Sequence, residues 1–363
     1  MHHTRPWITA GVALVGAGVV AATPVTPTVG VLTAVSFPSI QLTAADMVLN
    51  LVRHGESQDN VDHILGTVPP GAPLTDEGVA QAEYLADPDN PQHLANPDFY
   101  DGVFASAFLR AQSTAEEWLA AAGAPDTAVG ILPGLNELSA GFLEGQEQDT
   151  LTGLLYLMAP LAWMFGQYWV PQLGSTVDIN GMAFNDRFSD AVEAIYNHGG
   201  GADADDTMYN VAFSHGASIT TWAMMNVKNP DFGLYFQGLT QGLLPNTGQV
   251  VVEGNPTDGW TLVSWNGTEV AENPGLLTGL FVDFRDLIVA PQMAGWQVMQ
   301  ALQGGDPAEI MAALQTGFND VLAAFAAFPQ AVIDTITGSL GDAAGSAEAT
   351  GDVIGDLVAA LAG

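Results

Sequence analysis

Three apolar runs along this chain stop abruptly at polar residues. Met47, Val48, Leu49, Leu51 and Val52 form the first, closed by Arg53-His54-Gly55-Glu56-Ser57. Residues 100–106 form the second, which runs on towards Arg110. Residues 209–214 form the third, closed by His215-Gly216. Short, nearly continuous apolar runs are the pattern of strands buried on both faces. Residues 129–132 make a fourth short strand, and 245–253 and 259–267 read as two closing strands joined by a polar turn. Between the runs the apolar spacing becomes helical. Thr75 is placed to cap a helix, Asp76 and Glu77 suit its positive start, and Val79, Ala82 and Leu85 supply its inner face. A second helix turns Leu109, Ala115, Trp118 and Leu119 inward. This alternation predicts a three-layer α/β/α domain with a mostly parallel central sheet. The strands near Leu49, Val103 and Val211 are expected to be neighbours.

The domain implied by this pattern spans 46–275. Residues 1–45 read as an export segment and linker. His2, His3 and Arg5 precede an apolar run over 7–22, and small residues and Thr23-Pro24 follow it. That is the layout of a secretory signal peptide, cleaved or kept as an anchor. The expected location is therefore secreted or at the cell envelope. Residues 151–173 hold two Trp, two Tyr and two Met with no charge. Pro160 and Pro171 are expected to break this segment and Gly166 to weaken it. It reads as an apolar cap insertion over 151–180, either buried above the site or acting as a lid that meets lipid or a bulky apolar substrate. Residues 276–363 form an Ala/Gly-rich helical extension, amphipathic at 293–302 and 310–328 and punctuated at 304–307 and 343–351. It carries no evident chemistry.

Charge narrows the function. Forty acidic and six basic side chains give a formal charge of -34. No nucleic-acid partner fits that balance, because such binders need a basic face. Electrostatic attraction to anionic lipid is opposed as well. The six cations are Arg5, Arg53, Arg110, Arg187, Lys228 and Arg285. The overall field repels an anionic substrate, so a phosphate site must be built from these few groups. The absence of cysteine removes disulfides, thiol catalysis and Cys-type metal sites.

The chemistry gathers where the strands end. Ligands of open α/β sheets bind at the carboxyl ends of the strands, and here those ends carry Arg53-His54-Gly55, Arg110 and His215-Gly216. The segment from Leu51 through Ser57 resembles the R-H-G signature of the histidine phosphatase superfamily, which includes cofactor-dependent phosphoglycerate mutases and many phosphatases. Other segments keep the register. Ser106, Arg110, Ala111, Thr114 and Ala115 resemble the S-x-x-x-R-A-x-x-T-A segment. Leu135, Glu137, Gly141, Glu144 and Gly145 resemble L-x-E-x-x-x-G-x-x-E-G. Ser214, His215, Gly216 and Ile219 resemble S-H-G-x-x-I. The likeness runs from about Met47 to Trp265. It implies that His54 is transiently phosphorylated and that Arg53, Asn60, Arg110 and His215 hold the phosphate. Gly66 and Thr67 are the candidates from the neighbouring loop. The register puts the proton donor on Glu137, while Glu144 binds local backbone or faces solvent. The acid-phosphatase branch carries its Asp donor where Gly216 stands, so the likeness points to the mutase-like branch.

These residue types permit phosphoryl transfer. Attack by an imidazole nitrogen splits transfer into two easier steps. Guanidinium groups chelate the oxygens on which charge spreads. A Glu137 kept protonated by apolar neighbours would protonate the leaving oxygen. The expectation is a metal-independent phosphatase without a cofactor, acting on a phosphorylated small molecule. Mutases of the family carry Glu-Arg-His-Tyr-Gly at the acid, where this chain has Glu137-Leu138-Ser139-Ala140-Gly141 and lacks cations for a second phosphate. The alternatives are a mutase-like phosphotransferase, a lipid-phosphate phosphatase contacting the envelope through 151–173, and a non-catalytic binding module. Oligomeric state is not readable from the sequence.

Overall fold

The computed structural model describes residues 45–201, 206–239 and 243–362, with side chains described as far as 339. The export segment expected at the N-terminus lies outside the described residues. A seven-stranded mixed sheet has the order β3-β2-β4-β1-β5-β6-β7. Its strands are β1 (Met47–Arg53), β2 (Gly102–Ala105), β3 (Val129–Ile131), β4 (Met208–Ser214), β5 (Gln249–Asn255), β6 (Gly259–Trp265) and β7 (Thr268–Glu269). The first four run parallel to one another, and β5, β6 and β7 extend the sheet antiparallel from β1. The three strands read as neighbours are neighbours. Register brings their carboxyl ends level: Arg53 lies opposite Ser214 and Ala105 opposite Phe213.

The helices are α1 (Gln58–Val61), α2 (Asp76–Tyr84), α3 (Leu109–Ala121), α4 (Thr150–Met164), α5 (Gly181–His198), α6 (Gly216–Asn226), α7 (Phe232–Leu239), α8 (Leu276–Gly304) and α9 (Pro307–Ala362). Alternation along each strand sends successive side chains to opposite faces. Val52, Val103, Ala105, Val211 and Phe213 meet Leu85 beyond α2 and Ala111, Ala115, Trp118 and Leu119 of α3. On the other face Leu49, Leu51, Phe104 and Ala212 meet Trp163, Phe184, Phe188 and Trp222 of α4, α5 and α6. These are the three layers.

Thr75 caps α2 by accepting a hydrogen bond from Gly78 N at 3.0 Å. The helix crosses the turn after β1 so closely that a Cβ on Gly55 would lie 2.5 Å from Gly78 O. Only glycine fits there, and that contact sets the height of His54.

Three local expectations need correction. Leu109 opens α3 and is 43% exposed, because the first turn puts Arg110 rather than Leu109 on the inner face. Pro160 does not break α4, which runs through it. A proline leaves the carbonyl four residues back without its helical partner, and Tyr156 O instead accepts from Gln172 Nε2 at 3.4 Å. In the extension, Gly305 ends α8 in a left-handed conformation (φ 75°), but α9 continues through 343–351 without a break.

The extension is tied to the domain by buried polar groups. Arg285 Nη1 donates to Met224 O and Val227 O, each at 3.2 Å. Gln292 Nε2 donates to Gly166 O at 2.7 Å, and its Oε1 accepts from Trp169 N. α9 packs back along α8, with Gly317 set against Ala294 and Thr335 donating to Asp283.

Candidate active site

His54 leaves the end of β1 between two guanidinium groups. Its Nδ1 lies 2.7 Å from Gly55 O. A carbonyl only accepts, so Nδ1 carries the proton. Nε2 therefore presents a lone pair, and Arg110 Nε donates to it at 3.0 Å. Burial, followed by the charges of Arg110 and then Arg53, pushes the His54 pKa well below the usual imidazole value. The ring is a neutral nucleophile with its reactive nitrogen already selected.

His215 caps the N-terminus of α6, and its ring centroid is 5.1 Å from that of His54. Ser106 Oγ lies 2.8 Å from Nε2 and already accepts from Phe108 N. Nδ1 is buried without a hydrogen-bond partner. Burial first, then Arg110 and His54, keep this ring neutral too.

Arg110 is 3% exposed on the first turn of α3. Besides His54, it donates through Nη2 to Gly66 O at 3.0 Å, approaches Asp59 Oδ2 at 3.5 Å and lies over the Phe108 ring. Burial lowers its pKa, and Glu137 and Asp59 work against that. Arg53 donates to Leu244 O and is drawn down chiefly by burial to about 10, so both groups stay charged at neutral pH.

Glu137 reaches the same cavity from the segment after β3. Its Oε1 accepts from Leu138 N at 2.9 Å, Ser218 Oγ at 3.0 Å and Ser218 N at 3.1 Å. Its immediate partners are donors, not the apolar neighbours anticipated. Ser218 N is one of the unpaired amides at the start of α6, where negative charge is favoured. All three bonds fall on Oε1, which leaves Oε2 to a substrate. Arg187 places this segment: it grips Asp178 through Nε at 2.8 Å and Nη2 at 3.0 Å, and its Nη1 donates to Gly134 O and Asn136 O.

Asn60 and the loop residues also border the cavity, of about 90 Å³. Asn60 Oδ1 accepts from Ser57 N and from Asn246 Nδ2, so its own Nδ2 is the polar end left for a ligand. Gly66 contributes its carbonyl to Arg110. Thr67 N–H is engaged by both Glu144 oxygens at 2.9 and 3.0 Å, and its hydroxyl bonds Glu144 as well. Glu144 therefore binds backbone, though that of a residue 77 positions away, and Thr67 is a strut between loops.

Sequence reasoning missed Asp59, Ser106, Ser218 and Asn246 as site residues. Asn246 Nδ2 donates to His54 O at 3.1 Å. Ser218 had a readable signal, standing three residues after His215 in a helix's first turn. Among the described residues no cluster of His, Asp and Glu is arranged to hold a metal.

A buried histidine flanked by two arginines and a carboxylate, at the carboxyl ends of parallel strands, has the nucleophile and the cations that phosphoryl transfer requires. The chain belongs to the histidine phosphatase superfamily (branch 1), whose family model matches residues 49–268. It is 42% identical over 301 residues to the PE-PGRS family protein PE_PGRS11 of Mycobacterium tuberculosis (strain ATCC 25618 / H37Rv), covering 81% of this chain and 49% of that protein. The chain thus spans about half the length of that curated relative. Among solved structures it is similar to phosphoglycerate mutase from Bacillus anthracis str. Sterne (18% identity, TM-score 0.42, covering 62% of this chain and 95% of that one). It is also similar to a putative alpha-ribazole-5'-P phosphatase from Escherichia coli str. K-12 substr. MG1655 (21% identity, TM-score 0.42, covering 62% and 98%).

Proposed function

We propose that this domain hydrolyses phosphate monoesters through a phosphohistidine on His54. The observation that carries the proposal is the hydrogen bonding of His54, with Nδ1 against Gly55 O and Nε2 accepting from Arg110 Nε, which leaves Nε2 unprotonated. A phosphoryl group entering the cavity takes over the Arg110 Nε–H bond through one of its oxygens. Arg53, Asn60 Nδ2 and the His215 ring supply further contacts. Nε2 attacks phosphorus as the ester P–O bond breaks, and Glu137 in its acid form gives the leaving oxygen a proton. Water then attacks the phosphohistidine, Glu137 takes the water's proton, and the nitrogen–phosphorus bond breaks to release inorganic phosphate. Each positioned donor is worth on the order of 3 kcal/mol at the transition state.

Hydrolysis is favoured over transfer to a second phosphorylated substrate by the cavity's cations. Among its described lining residues these are Arg53 and Arg110, both engaged with one phosphoryl group. We also propose export of the chain through its apolar N-terminal segment, which N-terminal sequencing of the mature protein tests.

Glu137→Gln tests the assignment of the acid. It keeps the nucleophile and the clamp and loses the transferable proton. Alkyl phosphates, with poor leaving groups, should slow by about 10²–10⁴-fold, whereas activated aryl phosphates lose much less. Equal losses on both would transfer the role to Asp59, the other carboxylate in the cavity wall.

A further inference from the structure

Beside its charged groups the cavity lining includes the apolar side chains of Ile64, Leu65, Leu157 and Leu243 and the ring of Tyr156, with Gln148 among them. The charge left over once the two arginines hold a phosphoryl group and Glu137 holds its proton is Asp59. A leaving group with its own carboxylate or second phosphate would face that carboxylate in a molecule of formal charge -34. An apolar leaving group would meet aliphatic and aromatic surface instead.

That surface continues out of the cavity. Residues three apart share a helix face, and Leu154 and Leu151 follow Leu157 at that spacing. They are 56% and 63% exposed. Leu155 and Met158 widen the strip, also exposed, and no residue of α4 is charged. From Leu157 to Leu151 the strip runs about 9 Å along the helix. It is a fixed surface: Tyr156 OH donates to Leu138 O at 2.7 Å, and Tyr156, Ala159 and Trp163 are buried beneath it. Single exposed leucines are ordinary on a protein surface. A charge-free row that begins inside a phosphate cavity is a track.

We propose that the substrate is the phosphate monoester of an apolar alcohol. Its phosphoryl group sits at His54 and its chain lies along Leu157, Leu154 and Leu151. The proposal rests on the phosphatase reading above and names its substrate class.

The test is a series of ethyl, butyl, hexyl and octyl phosphates, kept below micelle formation, with phosphoserine and 3-phosphoglycerate alongside. A fully buried methylene raises affinity by about fourfold. On a half-covered track kcat/KM should rise about twofold per methylene, or about 60-fold from ethyl to octyl. Leu154→Gln and Leu151→Gln should lower the octyl-to-ethyl ratio several-fold; both sites are exposed, so folding is not at stake. Dodecyl phosphate carried in phosphatidylcholine vesicles distinguishes a bilayer-borne ester from a free one, and a high ratio to ethyl phosphate in either form supports the proposal. A flat series with measurable turnover, an unchanged ratio in both variants, or preference for phosphoserine or 3-phosphoglycerate over octyl phosphate overturns it and leaves the phosphatase reading standing. No turnover of any ester and no phosphoenzyme overturns both.

Discussion

At His54 hydrogen bonding and electrostatics agree on one protonation state. The Gly55 carbonyl fixes the proton on Nδ1, and burial with two neighbouring cations opposes a second proton. His215 is held neutral in the same way. This has a consequence for stability. Both rings have folded pKa values well below the value near 6.5 that they take when unfolded. As pH falls through 6.5 the unfolded chain takes up protons that the native state refuses, so stability drops. Each ring contributes a slope of up to about 1.4 kcal/mol per pH unit. Urea melts should give constant stability above about pH 7 and a decline from about 6 downward, before ordinary carboxylates titrate. His54→Gln should remove about half of that slope. Native stability independent of pH from 7.5 to 5.5 would contradict the neutral, buried assignment of these rings.

At the scale of elements, the site is where β1, β2 and β4 end level with one another. That much was legible, because each strand is an apolar run that stops at a polar residue. Arg53, His54, Arg110 and His215 could be singled out for that reason, and the structure brings them together. Glu137 was legible only through its register within a longer motif. The supporting groups were not legible. Ser106 and Asn246 act from turns and Asp59 from the short helix α1, all placed by contacts distant in sequence, and Gln172 rescues Pro160 from 12 positions beyond it. The extension was opaque for a similar reason: its one cation, Arg285, stands in a segment where no chemistry could be read. It is 4% exposed and donates to the carbonyls of Met224 and Val227 that end α6, the helix whose other end supports Glu137. Hydrogen bonds from charged donors contribute about 1.5–3 kcal/mol each. Arg285→Ala should therefore lower unfolding free energy by about 2–4 kcal/mol in denaturant melts. A change below about 0.5 kcal/mol would mean that α8 is not integral to the domain.

At the scale of the whole molecule, the proposed function asks two arginines to hold an anionic ligand inside a chain of formal charge -34. A field of that sign raises the cost of bringing a phosphate to the surface. The site answers with buried donors in a low dielectric, where each contact is stronger. Apolar surface is distributed unevenly. Beyond the strip on α4, the segment Pro307–Ser339 of α9 is long and apolar enough to cross a membrane, with a mean hydropathy of 1.4. Its outer side shows Met311, Leu314, Phe318, Leu322 and Phe325 at helical spacing.

The central claim is that His54 Nε2 carries the phosphoryl group between the two half-reactions. Rapid mixing with a 32P-labelled aryl phosphate, an alkaline quench and peptide mapping reads this directly. The account predicts label on the peptide containing His54, stable in base and lost in acid, that appears before steady-state turnover and is absent in His54→Ala together with activity. Full turnover in His54→Ala, or label on any other residue, would contradict it.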